Sequence, residues 1–367
     1  MRVERDIAGF ALPFTVGIMA ATIQIWPVSY LNPFPSAIMA AAVFLTVSLL
    51  IHPKHKKLSG HIIIILTTLS AFFCGLNVGL THNIISVSDS MAGFLTSTAR
   101  HMLDSMKETI DTLPFRNQDT NALLTALLTG DRSGIPHDIT EYFRVSGASH
   151  ILALSGLHLG MVYGIIGKAL SIIGNSRTAM KTRSLAVVAF CSIYTMATGA
   201  GASIVRALIY IITREICRFT GRCRSAENIL YTALVMQLSL FPSDIRSVSF
   251  QLSYAAMAGI TYIYPWIRNL WPDSSAKGVL GFIWNSAAMS ISCQLTTAPL
   301  AWMYFRSMPA YFILTNLIAV PLTGMIIPLA IICIALAGIG ICPEIMTRAT
   351  EGLVQTLTAA LEIISSM

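Results

Sequence analysis

The sequence predicts an all-α protein: a polytopic transmembrane bundle of about ten to eleven spans, with a short amphipathic helix on the outer surface. Three observations predict it. Of 367 residues, 54% are hydrophobic and only 11% are charged, whereas a soluble domain carries about 25% charged residues. Apolar runs recur at lengths near ~20 residues, the reach of a helix across the hydrocarbon layer. They do not alternate as the strands of an outer-membrane barrel do. Finally, Lys and Arg gather in alternate loops. With a mean hydropathy of +0.69, the composition excludes a soluble globular enzyme, a disordered tail and a coiled coil.

The first span, about Ile7–Trp26, stands behind Arg2 and Arg5. It is too long for a signal-peptide core and no small-residue cleavage site follows, so it reads as a retained helix. Further apolar runs lie at about Ser36–Ile51, His61–Leu80, His150–Ile173, Ser184–Thr198 and Ser203–Ile216. Others follow at about Asn228–Leu240, Val248–Ile263, Val279–Met303 and Tyr311–Ala335, with a last segment at Glu351–Ile364. Pro321 and Gly324 interrupt the run from Tyr311, which reads as two short helices. By segment, residues 1–80 hold three N-terminal transmembrane spans, 81–149 form extracytoplasmic amphipathic and short helices, and 150–367 form a second transmembrane domain.

The net charge of +7 is topological rather than a nucleic-acid surface. With the N-terminus in the cytoplasm, the inner segments carry 14 Lys and Arg and the outer ones seven. The stretch 81–149 alone holds five of those seven against eight Asp and Glu, as the positive-inside rule requires of an outer segment. Its first half, Ser88–Leu113, has Met91, Phe94, Leu95, Met102, Met106, Ile110 and Leu113 on one helical face, with charges opposite. Pro114 stops this helix, a second runs about Asn121–Leu128 to Gly130, and Asp138 with Glu141 reads as a capping box opening a third. All three serve either as cover for the bundle or in gating.

The run SHILALSGLHLGMVYGIIGKAL from Ser149 carries the most information. As one continuous helix, it places Gly156, Gly160, Gly164 and Gly167 on a face within about 80°, a small-residue stripe suited to close helix contact. His150, Ser155 and His158 fall on the other side, where polar groups in a span face a bundle interior or a wet path. Arg206 lies within a span at a cost of at least about 2.5 kcal/mol, unless it snorkels outward or has a partner. Gln251, Gln294 and Asn316 are intramembrane amides. Singly each fits a packing hydrogen bond, and together with Arg206 and the His pair they fit the lining of one aqueous path.

The seven cysteines are mostly inside apolar runs, and Cys217 with Cys223 has no second pair to complete a zinc site. Neither a metal nor a cofactor is expected.

The runs ALLTGDRSGIP, FRVSGASHILALSGLHLGM, GASIVRALI, SFQLSYAAMAGI and NLIAVPL occur in this order. In them the chain resembles the membrane channel domain of ComEC-type competence proteins, from about Asn121 to Pro321 and more loosely beyond. The resemblance implies an inner-membrane channel that passes one DNA strand into the cytoplasm in natural transformation. It places His150, Ser155, His158 and Arg206 among the family's signature positions. Many members also carry an oligonucleotide-binding-like domain and a metallo-β-lactamase-like domain. This sequence has only the amphipathic helix in the first place and no HxHxDH run, so nuclease activity is not expected of it. Single-stranded DNA, membrane lipids and separate DNA-receptor, nuclease and cytoplasmic motor proteins are the implied partners. The motor is external because the chain has no GxxxxGK[ST] phosphate loop. The glycine face also allows a homodimer. Two other readings stand beside the channel. One is a small-solute or lipid transporter built around a broken helix at Pro321–Gly324. The other is an intramembrane serine hydrolase using Ser155 and His158, although i,i+3 side chains of a helix align poorly as nucleophile and base.

Overall fold

The computed structural model describes residues 4–22, 60–81, 89–152, 155–174, 176–198, 201–220, 225–271, 278–306, 311–338, 340–341 and 343–367. Among these the chain is all helical, without strands. The helices in order are α1 (Glu4–Thr22), α2 (Gly60–Thr81), α3 (Asp89–Asp111), α4 (Gln118–Thr129) and α5 (His137–Val145). Next come α6 (Ser149–Leu152), α7 (Gly156–Ala169), α8 (Arg177–Ala197), α9 (Ala202–Thr220) and α10 (Ala226–Leu240). The last are α11 (Val248–Ala258), α12 (Tyr264–Arg268), α13 (Val279–Phe305), α14 (Phe312–Ala337) and α15 (Glu344–Ser365). The span expected at Ser36–Ile51 lies outside the described residues.

Contacts divide the chain into two units that cut across the three consecutive segments read from the sequence: Met1–Ala92 with Ile212–Gln251, and Gly93–Ile211 with Leu252–Met367. In the first unit α1 and α2 pack backbone against backbone. A Cβ added at Gly17 would lie 2.1 Å from Phe72 O, and one at Gly75 would lie 2.0 Å from Phe14 O. Only glycine permits so close an approach, the geometry of small-residue helix pairs. α10 lies against α1, and its Gln237 amide donates to Asp244 Oδ2 at 2.8 Å.

The second unit is built on the hairpin of α14 and α15. Ala319, Ile326, Ile327 and Ala330 of α14 and Val354, Leu357 and Leu361 of α15 form one buried cluster, which also takes in Leu123, Leu124, Leu127 and Leu128 of α4. The amphipathic α3 joins it through Met106 and Ile110. The C-terminal part of that helix's apolar stripe thus buries against protein. α4 opens on an Asn117 side chain that accepts from Asp119 N, and closes on Gly130 at φ 80°, a left-handed cap that glycine adopts without a Cβ clash. The loop behind it is clamped. Lys107 Nζ reaches Asp131 Oδ2 at 2.5 Å and Ser133 N donates to Asp131 Oδ1. The hydrogen bond from Lys107 holds the Asp131 carboxyl well below the usual carboxylate range, at about 2.

Three expectations are corrected here. α5 begins on Pro136 without a side-chain cap. Asp138 and Glu141 form no capping box, because Glu141 instead meets Arg144 at 2.6 Å and is held ionised by it, its carboxyl below the ordinary range. Next, α14 is one helix through Pro321 and Pro328. Proline's fixed φ is already helical, and each removes only one donor from a ladder that packed neighbours support. Last, the continuous helix expected over His150–Ile173 is broken. α6 ends at Leu152, Ser155 is extended (φ −114°, ψ 165°), and α7 restarts at Gly156.

α14 is long and apolar enough to cross a membrane, with a mean hydropathy of 2.6 over its best window; among the described residues it alone meets that test. Shorter apolar helices run Ile7–Thr22, Thr67–Leu80 and Gly156–Ile172.

Candidate functional site

The break between α6 and α7 is made by side chains that serve the freed backbone groups. Arg132 Nε donates to Leu152 O at 3.3 Å, taking a carbonyl that a continuing helix would have used. Thr315 Oγ1 donates to Ser146 O at 2.8 Å, tying the entry of α6 to α14. α7 then restarts on a reciprocal cap: Ser155 N donates to His158 Nδ1 at 3.2 Å, and Ser155 Oγ lies 3.0 Å from the same nitrogen. Accepting from a backbone N–H leaves the ring proton on Nε2.

The two side chains therefore meet, contrary to the expectation for i and i+3 on one helix. The reason is local: Ser155 is extended, so its side chain folds back over the first turn. His158 is 0% exposed, and its Nε2 has no hydrogen-bond partner among the described residues. The pair caps the first turn of α7.

Neighbouring contacts place the other candidates around the break. The His150 ring is 5.8 Å from that of Phe312, and Gly324 faces the Met161 methyl, 3.8 Å from an added Cβ. With the Thr315–Ser146 bond, these contacts run α14 alongside α6 and α7 in the same direction. Asn316 therefore sits at the level of the interruption. It is 7% exposed, and its Oδ1 is buried without a partner among the described residues. On the opposite side, Ala207 of α9 lies 3.1 Å from a Cβ added at Gly156, which sets Arg206 beside the start of α7. Arg206 is only 4% exposed. It is enclosed by the fold rather than snorkelling outward.

Other candidates part company. His150 is exposed, with Nδ1 3.0 Å from Gly147 O. Gln251 donates to Ile245 O at 3.0 Å and holds a turn. Gln294 is half-buried on α13, whose Ser292 carbonyl lies 2.4 Å from a Cβ added at Gly259. Gly259 opens a π-helical turn, Gly259–Ile263. Of the glycine stripe, Gly156 sets its Cα face against another helix, and the Gly167 carbonyl accepts from Arg183 of α8 at 3.4 Å. A Cβ at Gly160, Gly164 or Gly167 touches nothing within 4 Å, while Leu159, on the other side of α7, packs with Val187, Cys191 and Ile204.

A second polar feature escaped the sequence reading. A cavity of about 330 Å³ is lined by Arg116, Asn117, Arg348, Glu351, Gly352 and Gln355. Glu351, 7% exposed, accepts from Asn117 N at 2.9 Å. Arg348 meets Glu344 at 2.5 Å. The signal was present as Glu344, Arg348, Glu351, Gln355 and Glu362, spaced by four, three, four and seven residues along one helix.

Comparison with known proteins places these elements. Residues 127–367 match the family model described as Competence protein. The chain is 24% identical over 228 residues to the uncharacterized protein YcaI of Escherichia coli K12, covering 61% of this chain and 29% of that one. It is 25% identical over 227 residues to ComE operon protein 3 of Bacillus subtilis 168, covering 60% and 26%. It is 22% identical over 289 residues to Recombination protein 2 of Haemophilus influenzae, covering 75% and 35%. The chain thus spans about a third or less of the length of these curated relatives. No solved structure matches. The interrupted helix, the buried Arg206 and the α14–α15 hairpin all lie inside the matched stretch, and the chain belongs to the competence protein family.

Proposed function

We propose that the chain is a multi-pass protein of the bacterial inner membrane, with its N-terminus in the cytoplasm, that passes single-stranded DNA inward during competence. The observation that carries this reading is the family match over residues 127–367. The apolar α14 and the asymmetry of Lys and Arg between alternate loops support the membrane part of it. Conduction is passive, pulled by a separate cytoplasmic motor, and a separate receptor and nuclease deliver the strand.

The transporter reading loses the broken helix that motivated it, since α14 is continuous through Pro321 and Gly324. The hydrolase reading keeps its pair, with Ser155 Oγ 3.0 Å from His158 Nδ1, but no family match supports it, whereas one supports the DNA reading.

The test is transformation frequency in the native host with and without the chain, using single-stranded and double-stranded donor DNA. Loss with both donors is expected. Unchanged transformation would sink the reading. Reporters fused near Asn121 and near Arg222 are expected on opposite sides of the membrane, and two on the same side would overturn the orientation.

A further inference from the structure

α14 and α15 form one antiparallel hairpin, yet their outer faces differ in chemistry. Cys333 Sγ lies 3.8 Å from Thr350 Oγ1, and Ala330, Ile327 and Ala319 share a cluster with Val354, Leu357 and Leu361. The stretch from Thr350 to Ile364 therefore lies beside the apolar run of α14. The outer face of α14 exposes Met325 (56%) and Ile332 (43%), as a lipid-facing helix does. That of α15 exposes Glu344, Arg348, Gly352, Gln355, Ala359 and Glu362, a stripe at steps of four and three along its whole length. At bilayer depth each charged group turned to lipid costs about 2.5 kcal/mol or more, so such groups face water or a polar partner.

One border of the stripe carries exposed Ile345 and Ile363; the other is polar. Glu351 fixes the turn carrying Arg116 through the backbone of Asn117, and Tyr142 OH donates to Glu362 at 3.4 Å. A Cβ at Gly352 meets nothing within 4 Å, so there is room over the middle of the stripe.

We infer that this face of α15, with Arg116, is one wall of an aqueous path through the membrane, and that a nucleic-acid strand runs along it with its phosphates passing Arg116 and Arg348. The second half of this inference rests on the DNA reading above; the first does not. Guanidinium groups bind phosphodiesters in a forked geometry. Glu344 already engages Arg348 and competes for it, which keeps each phosphate contact short-lived, as a conducting path requires.

The test uses the full chain in its native membrane, with its seven cysteines replaced and one introduced. Gly352→Cys, Gln355→Cys and Ala359→Cys report on the stripe, and Met325→Cys and Ile332→Cys on the outer face of α14. Each variant is first checked for accumulation in the membrane. With a charged methanethiosulfonate reagent, the stripe positions are expected to react about tenfold or more faster, because the reacting thiolate forms in water and not in lipid. Equal, slow reaction at both sets overturns the wall. A bulky reagent at Gln355→Cys is expected to lower transformation about tenfold relative to the same variant unreacted, by filling the path. Fast labelling with undiminished transformation overturns the strand's route along this wall. Failure of the DNA reading itself appears separately, as transformation that survives deletion of the whole chain.

Discussion

Ser155 and His158 are joined at 3.0 Å between Oγ and Nδ1, and the contact exists because Ser155 is extended immediately before α7 starts at Gly156. The pair that suggests nucleophile and base in the sequence also caps the first turn of α7. Ser155→Ala is expected to lower stability by about 1 kcal/mol, the usual worth of a helix cap. His158→Ala is expected to cost ~2 kcal/mol or more, because a buried ring leaves a cavity. Thermal unfolding in detergent measures both. Complete loss of activity in a fully stable Ser155→Ala protein would restore the hydrolase.

Glycine substitutions separate contact from exposure. Gly17→Ala and Gly75→Ala are expected to destabilise the α1–α2 pair by ~1–3 kcal/mol through overpacking, since each Cβ would fall near 2 Å from a backbone oxygen. Gly160→Leu, at a position the glycine spacing marks for helix contact, is expected to accumulate normally, because nothing among the described residues lies within 4 Å of an added Cβ. Membrane levels of the three variants decide between the two readings.

The Lys107–Asp131 pair gives a pH dependence of defined sign. The folded carboxyl titrates at about 2, below its unfolded value of about 3.9. Its stabilisation is present in full above the unfolded value and is lost as pH falls from there through about 2. Solvent screening limits it to about 1 kcal/mol. Asp131→Asn is expected to be less stable than the parent near neutrality, and the difference is expected to close on acidification. A difference independent of pH would contradict the assignment.

Glu351 is both the acceptor for Asn117 and the deep side of the cavity. Glu351→Gln keeps an acceptor oxygen and is expected to cost little. Glu351→Ala strands the Asn117 N–H and is expected to cost ~1–3 kcal/mol. Proteolytic nicking near residue 116 reads the release of that turn.

Composition and the length of the apolar runs determined the helical class and the apolar character of this chain, because runs near ~20 residues without alternation fit helices and not barrel strands. Local spacing placed most helix bounds within a few residues. α2, α10 and α13 follow their apolar runs, because caps and hydrophobic periodicity act over a few neighbouring residues. Only the tertiary structure decided where helices break and which face is buried. Pro321 reads as an interruption but lies inside α14, while the run from His150 to Ile173 reads as continuous and is broken at Leu152. There Arg132 and Thr315, distant in sequence, supply the hydrogen bonds that make the break affordable. The face of α7 is a second case. Its glycines mark a contact surface by pattern, but packing of Leu159 against α8 and α9 turns Gly160 and Gly164 outward, and one residue's choice of neighbour is a property of the whole fold.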